Sequence, residues 1–313
     1  RCNQLRREPV LYMRRLFNWR IVSITVFMLF TAFYVTTSIF VVRGVAMIPR
    51  FESDSRPELE SLNLPAKDVE FHSRNSQLNL KGWYVAAPDK KHTIIFVHGL
   101  GADRSGSNAL LIGSVLWKNG FNVLFFDLRA SGKSEGNMVS GGYFEQEDLL
   151  GAFDFVRNTG IPAGNIGVLG FSMGAATSIL SASKETGIQA VVSEGTYAAL
   201  IDLITQEVEL ATPMPGWMVP LFQPGIMISA NILYGMKLDT VIPEKAASEI
   251  NYPIFLIHGT DTNTRVPLEH SIRVHKAAQI DSILWKVEGV GHVGAFNKHP
   301  NKYVERIIGY YRT

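Results

Sequence analysis

The chain is predicted to be an α/β protein: a mostly parallel sheet with helices on both faces, preceded by one transmembrane helix and carrying a small helical cap. Three observations predict it. From about residue 67 onward, short β-branched apolar runs alternate with segments of helical spacing, the pattern of right-handed βαβ units. One interval, about 196–243, has no strand pattern and is too long for an ordinary connection. Residues 21–42 form a run of 22 residues without charge or proline.

That run reads "IVSITVFMLFTAFYVTTSIFVV", from Ile21 to Val42. At about 1.5 Å per residue it is long enough to cross a hydrocarbon core of about 30 Å. A buried core helix and a cleavable signal peptide are the competing readings. The apolar part of a signal is normally about 7–15 residues, and here Arg43 follows directly without a small-residue cleavage site. Arg1, Arg6, Arg7, Arg14, Arg15 and Arg20 precede the run. Arg43, Arg50 and Arg56 follow it, mixed with Glu52, Asp54, Glu58 and Glu60. The positive-inside rule therefore makes residues 1–20 a basic cytoplasmic segment and puts the main domain beyond the membrane.

Charge and cysteine content narrow the class. Residues 1–50 hold eight Arg and one Glu, a balance of +7, and the rest carries −5, for a total of +2. A mildly acidic main domain argues against a nucleic-acid partner. Cys2 is the only cysteine, which excludes an intrachain disulfide framework. With no His-Glu-x-x-His motif or Cys/His cluster, neither metal nor cofactor is expected.

Residues 43–66 are polar, contain proline and read as a linker; the domain runs over 67–313. "DVEFHS" and "LNLKGWYVA" predict a strand hairpin, and "HTIIFVHG" a buried strand ending in glycine. Ser107–Lys118 has helical spacing, and "FNVLFFD" is a strand. "EQEDLLGAFDFVRN" is an amphipathic helix with acids in its first turn, where the helix dipole favours them. Then follow strand "IGVLG", helix "MGAATSILSAS" and strand "IQAVVSE"; after the cap come strands "YPIFLIHG" and "ILWKVEG", with a helix bearing His270 and His275 between them. A helix from Asn301 to Tyr311 closes the chain.

In an open parallel sheet, ligands bind beyond the carboxyl ends of the strands. Three such ends carry Ser172, Asp261 and His292. Acyl transfer needs these types. A serine hydroxyl is a poor nucleophile until an imidazole takes its proton, and a carboxylate holds that imidazole in the right tautomer. Gly170-Phe-Ser-Met-Gly174 lies between a strand and an Ala-rich helix, the context of a nucleophile elbow. A structural serine in a tight turn is the plainer reading of the motif alone. Asp261 is the expected acid, being the carboxylate in "HGTDTN"; a register set on "TRVP" brings Asn263 to that position, and an amide carries no full charge. His292 is the expected base because it follows the last strand in a Gly-rich loop, whereas His98 and His258 read as structural.

With these landmarks the sequence resembles the α/β-hydrolase superfamily over about residues 67–313. "FVHGLG" (Phe96–Gly101) is similar to its oxyanion loop and "DLRASGKSEG" (Asp127–Gly136) to its D-x-R-G-x-G-x-S turn, with Ala130 where glycine is common. The order Ser, acid, His also agrees. The closest likeness is to bacterial membrane-anchored hydrolases of the esterase, lipase and serine-aminopeptidase-like group. The resemblance implies an α/β-hydrolase fold, an oxyanion hole formed by the backbone N–H groups of Leu100 and Met173, and a serine hydrolase that cleaves an acyl ester, thioester or amide through an acyl-enzyme on Ser172, foremost a carboxylesterase or lipase. A serine peptidase and a non-catalytic binding protein are the alternatives. The expected partners are the membrane and a small-molecule or lipid acyl substrate. The cap, with Met214, Trp217, Met218, Val219, Leu221 and Phe222, reads either as packed core or as an acyl-binding lid.

Overall fold

The computed structural model describes residues 8–88, 91–262 and 264–312, with side chains from Trp19 onward. Arg1, Arg6, Arg7 and Asn263 therefore lie outside the described residues. Helix α1 (Glu8–Ala46) contains the apolar run and continues four residues past Val42. A short helix α2 (Arg56–Ser61) follows.

The eight described strands are β1 (Ala66–His72), β2 (Asn79–Val85), β3 (Thr93–Val97), β4 (Asn122–Phe126), β5 (Ile166–Phe171), β6 (Ile188–Glu194), β7 (Phe255–Gly259) and β8 (Ile283–Val287). They form one sheet in the order β1-β2-β4-β3-β5-β6-β7-β8, in which β2 runs against the other seven. Strands β3, β4, β5 and β7 are buried along their whole length. This is why they read as continuous apolar runs and not as an alternation.

Helices α3 (Ala109–Lys118), α4 (Glu145–Asn158), α5 (Met173–Ala182), α8 (Pro243–Ala247), α9 (Leu268–Ala277), α10 (Ala295–Lys298) and α11 (Pro300–Tyr311) accompany the sheet. Two buried apolar clusters surround it, one containing Ile95, Val97, Leu149 and Ile179, the other Phe96, Phe125, Leu110 and Tyr303. The chain passes from β3 to β4 on one side of β3 and then to β5 on the other. That reversal opens a crevice at the carboxyl ends of β3 and β5.

Between β6 and α8 lies the cap, built from α6 (Ile204–Ala211), α7 (Val219–Tyr234) and three short 3-10 turns. It packs on α1: Val41, Val42 and Ala46 form one buried cluster with Val208, Phe222 and Ile226. Tyr34 stacks on Phe222 at 5.1 Å between ring centroids and its hydroxyl accepts the Gly225 N–H at 3.0 Å.

The segment expected as a linker is bound to the domain. The Arg50 guanidinium donates to the carbonyls of Gly132 (2.9 Å) and Gly136 (2.8 Å). The Ser53 N–H and hydroxyl both donate to Asp103, and Leu59 and Leu64 are buried. Polar composition suggests a tether because it hides such anchors: a linker polar group satisfied by a fixed carbonyl or carboxylate contributes about 1 kcal/mol or more. The helix α1 is thus continuous with a docked strap, not with a free leash.

Candidate active site

The turn after β5 is set by close packing. Ser172 has φ 55° and ψ −117°, a conformation that L residues rarely adopt. It is retained because the surroundings over-determine it. A Cβ at Gly170 would lie 2.3 Å from the Gly174 carbonyl oxygen, and one at Gly174 would lie 2.1 Å from that of Val97. Glycines two residues either side of Ser172 thus let α5 start against β3 and lift the serine out of the strand. The Ser172 N–H donates to the Glu194 carbonyl at 2.9 Å, fastening the elbow to the end of β6.

Ser172 and His292 are brought together: His292 Nε2 lies 2.8 Å from Ser172 Oγ. The imidazole comes from the loop after β8, where Val293 holds φ 54°. Burial, with His258 and Arg265 nearby, lowers its pKa to about 4, so the ring is neutral at ordinary pH. A neutral imidazole against a serine hydroxyl can take the proton when the oxygen attacks an acyl carbon.

Asp261 is placed differently. It is exposed, in the turn after β7, and its N–H donates to the Val290 carbonyl at 3.0 Å. Thr260 adds a second link, accepting the Gly289 N–H on its hydroxyl. The acid turn and the histidine loop therefore lie side by side. Yet the buried Nδ1 of His292 has no hydrogen-bond partner among the described residues. The structure joins Ser172 to His292, and Asp261 is not a hydrogen-bond partner of the ring.

Leu100 and Met173 line the same cleft as Ser172, at the carboxyl ends of β3 and β5. His98 and His258 have the structural roles expected of them. His98 accepts the Leu128 N–H on Nε2 and donates from Nδ1 to the Gly99 carbonyl; His258 bridges Ser271 and the Val266 carbonyl. Ala130, standing where glycine is common, has φ 56°. Its turn is held by Asp127, which accepts from the N–H groups of Arg104 and Lys133 at 2.8 Å.

One residue escaped sequence reasoning. Glu194, buried at the end of β6, accepts the Ala295 N–H at 3.0 Å and the Tyr303 hydroxyl at 2.9 Å. Burial raises its pKa to about 7, against the two donors that favour the carboxylate. Through its carbonyl it holds Ser172, and through its carboxyl it holds the residue three beyond His292. A Glu ending an otherwise apolar strand was the available signal.

The cleft, counted with the open solvent at its mouth, encloses about 870 Å³. Its walls are mostly apolar; at one side Arg265 donates from Nε to Glu207 of α6 at 2.8 Å. Val42, Val45 and Ala46 of α1 belong to the wall as well.

Comparison with known proteins agrees with this architecture. Residues 92–241 match a family model described as alpha/beta hydrolase fold. Two bacterial proteins described as uncharacterized are similar. YqkD of Bacillus subtilis (strain 168) is 26% identical over 227 residues, 72% of each chain. YfhR of Escherichia coli (strain K12) is 25% identical over 254 residues, 78% of this chain and 80% of that one. Among solved structures, the Pyrococcus furiosus esterase Pf2001 superposes with a TM-score of 0.68 at 24% identity, covering 84% of this chain and 97% of the esterase. An acylaminoacyl peptidase of Pyrococcus horikoshii shares the fold at a TM-score of 0.59 and 17% identity, over 83% of this chain and 43% of the peptidase. The chain has the α/β-hydrolase fold.

Proposed function

We propose that the protein is a membrane-anchored serine hydrolase that cleaves a carboxylic acyl ester through an acyl-enzyme on Ser172. The observation that carries this reading is the 2.8 Å contact between Ser172 Oγ and His292 Nε2 at the head of an apolar cleft. Ser172 attacks the acyl carbon while His292 takes its proton, and His292 then returns that proton to the leaving alcohol. The N–H groups of Leu100 and Met173 receive the developing oxyanion; Met173 opens α5, whose dipole favours negative charge there. Water, activated by the same imidazole, releases the acid.

We assign Asp261 to His292 Nδ1. The two links between its turn and the histidine loop support this, because they hold the loop that carries Asp261 beside the loop that carries His292. Such a contact favours the imidazolium formed during attack. Helix α1 crosses the membrane with the basic residues on the cytoplasmic side, its Trp19–Ala46 portion holding an 18-residue stretch of mean hydropathy 2.0.

A fluorophosphonate probe tests the assignment. Full-length protein in detergent is expected to be labelled at Ser172 and to hydrolyse short p-nitrophenyl esters. Protein that takes no probe and cleaves no ester is instead a binding protein on a hydrolase fold. The low pKa and bare Nδ1 of His292 are the observations that favour this second reading.

A further inference from the structure

We infer that the cap helix α7 lies in the lipid leaflet beside α1, and that the substrate is a membrane-resident lipid ester whose acyl chain enters the cleft along the seam of these two helices. The inference rests on the serine-hydrolase reading for its chemistry and on α1 as the span for its geometry.

Length comes first. The 28 residues of Trp19–Ala46 make a helix of about 42 Å, whereas a hydrocarbon core of about 30 Å needs about 20 residues. With Trp19 at one boundary, the other falls near Ser38. The cap meets α1 at that level and below it. Phe33 and Tyr34 both pack on Phe222, and a Cβ at Gly225 would lie 2.3 Å from Ser38 Oγ. A helix docked so closely on Tyr34 and Ser38 shares their depth.

The surface of α7 suits that depth. Between Glu209 and Lys237 there is no Asp, Glu, Lys or Arg. Leu221, Ile228 and Ile232 are 63%, 59% and 77% exposed. Their spacing puts them in one row with Gly225, so the apolar stripe flanks the contact with α1. Phe33, itself 59% exposed, continues that surface onto α1. Trp217, two residues before α7, is 74% exposed and extends the apolar surface. An apolar stripe joined to an apolar span marks a lipid contact better than an aqueous one.

The same two helices wall the cleft. Val42 and Val45 of α1 and Ile226 of α7 stand with Ser172 around one cavity. A lipid acyl chain lying against the stripe reaches the serine along apolar side chains.

Two measurements on the full chain in phosphatidylcholine–phosphatidylglycerol vesicles test this. In a Cys2→Ser background, Ile228→Cys carrying an environment-sensitive fluorophore is expected to be quenched by doxyl-labelled lipid as strongly as Phe30→Cys on α1. Lys67→Cys, on the exposed β1 edge, stays unquenched. Fluorescence at 228 that behaves like that at 67 overturns the placement of α7. In the second measurement, Leu221→Ser/Ile228→Ser/Ile232→Ser is expected to lower the ratio of p-nitrophenyl palmitate hydrolysis in vesicles to p-nitrophenyl acetate hydrolysis in water by about tenfold. An unchanged ratio overturns lipid access through the seam. If instead neither ester is cleaved and the fluorophosphonate does not label Ser172, the hydrolase reading fails and the substrate assignment with it, while quenching at 228 still decides where α7 lies.

Discussion

The turn after β5 and the turn after β7 both end parallel strands at the same edge of the sheet, yet they are held in opposite ways. Ser172 is fixed by backbone contacts that leave no room for a Cβ on either side, and by a main-chain bond to Glu194. Asp261 is exposed, tied to its neighbours by a main-chain bond to Val290 and by the hydroxyl of Thr260 next to it. A nucleophile must be held where it is strained, which takes dense packing. A carboxylate that only orients an imidazole can sit on a turn able to move, provided the two loops are already adjacent.

Breaking the rigid turn should have the largest effect. Ser172→Ala is expected to abolish probe labelling and lower kcat by at least about 10⁴-fold, measured on short esters. Next comes the exposed turn. Asp261→Asn is expected to lower kcat by about 10²- to 10⁴-fold. The pH profile sharpens this. In the free enzyme the His292 pKa of about 4 sets the acid limb of kcat/KM. Once Asp261 closes on Nδ1 in the complex, the acid limb of kcat lies higher. Asp261→Asn should bring the two limbs together near 4; identical limbs in the wild type would show that Asp261 does not close.

Gly174→Ala tests the packing of the elbow directly. Its Cβ must displace the Val97 carbonyl, at a cost of about 3 kcal/mol in denaturant unfolding. An unfolding midpoint matching the wild type would mean that the elbow yields freely.

The smallest effect concerns two buried groups that oppose each other. His292 is lowered from 6.5 to about 4, so between those values the unfolded chain holds a proton that the folded one lacks, and stability rises with pH. Glu194 is raised from 4.5 to about 7, so between those values the folded chain holds the extra proton, and stability falls with pH. Each slope is about 1.4 kcal/mol per pH unit, and they cancel across most of this window. Glu194→Gln should unmask a rise in stability from pH 4 toward 6.5. His292→Ala should unmask a fall from pH 4.5 toward 7. Urea titrations across that range check both signs.

Much of this molecule was legible before any coordinates. Strands β3, β4, β5 and β7 read correctly because fully buried strands are unbroken apolar runs, and the hairpin of β1 and β2 because its members lie close in sequence. Ser172 was legible as a candidate because an elbow needs small residues at fixed positions, and His292 because a Gly-rich loop follows the last strand. The reading of 43–66 as a tether missed the anchors of Arg50 and Ser53, since their partners lie 50 to 86 residues away. Glu194 was passed over for the same reason: a glutamate at a strand end becomes a clasp only when Ala295 and Tyr303 arrive from the far end of the chain.

By itself, then, the sequence determined the kind and order of the elements and the chemical types at the strand ends. Those follow from residue spacing and turn chemistry, which act over a few residues. Only the tertiary structure decided that Ser172 meets His292, that α1 walls the cleft beside them and that Glu194 fastens both loops. Each of these is a contact between segments tens to hundreds of residues apart, set by the order in which strands enter the sheet.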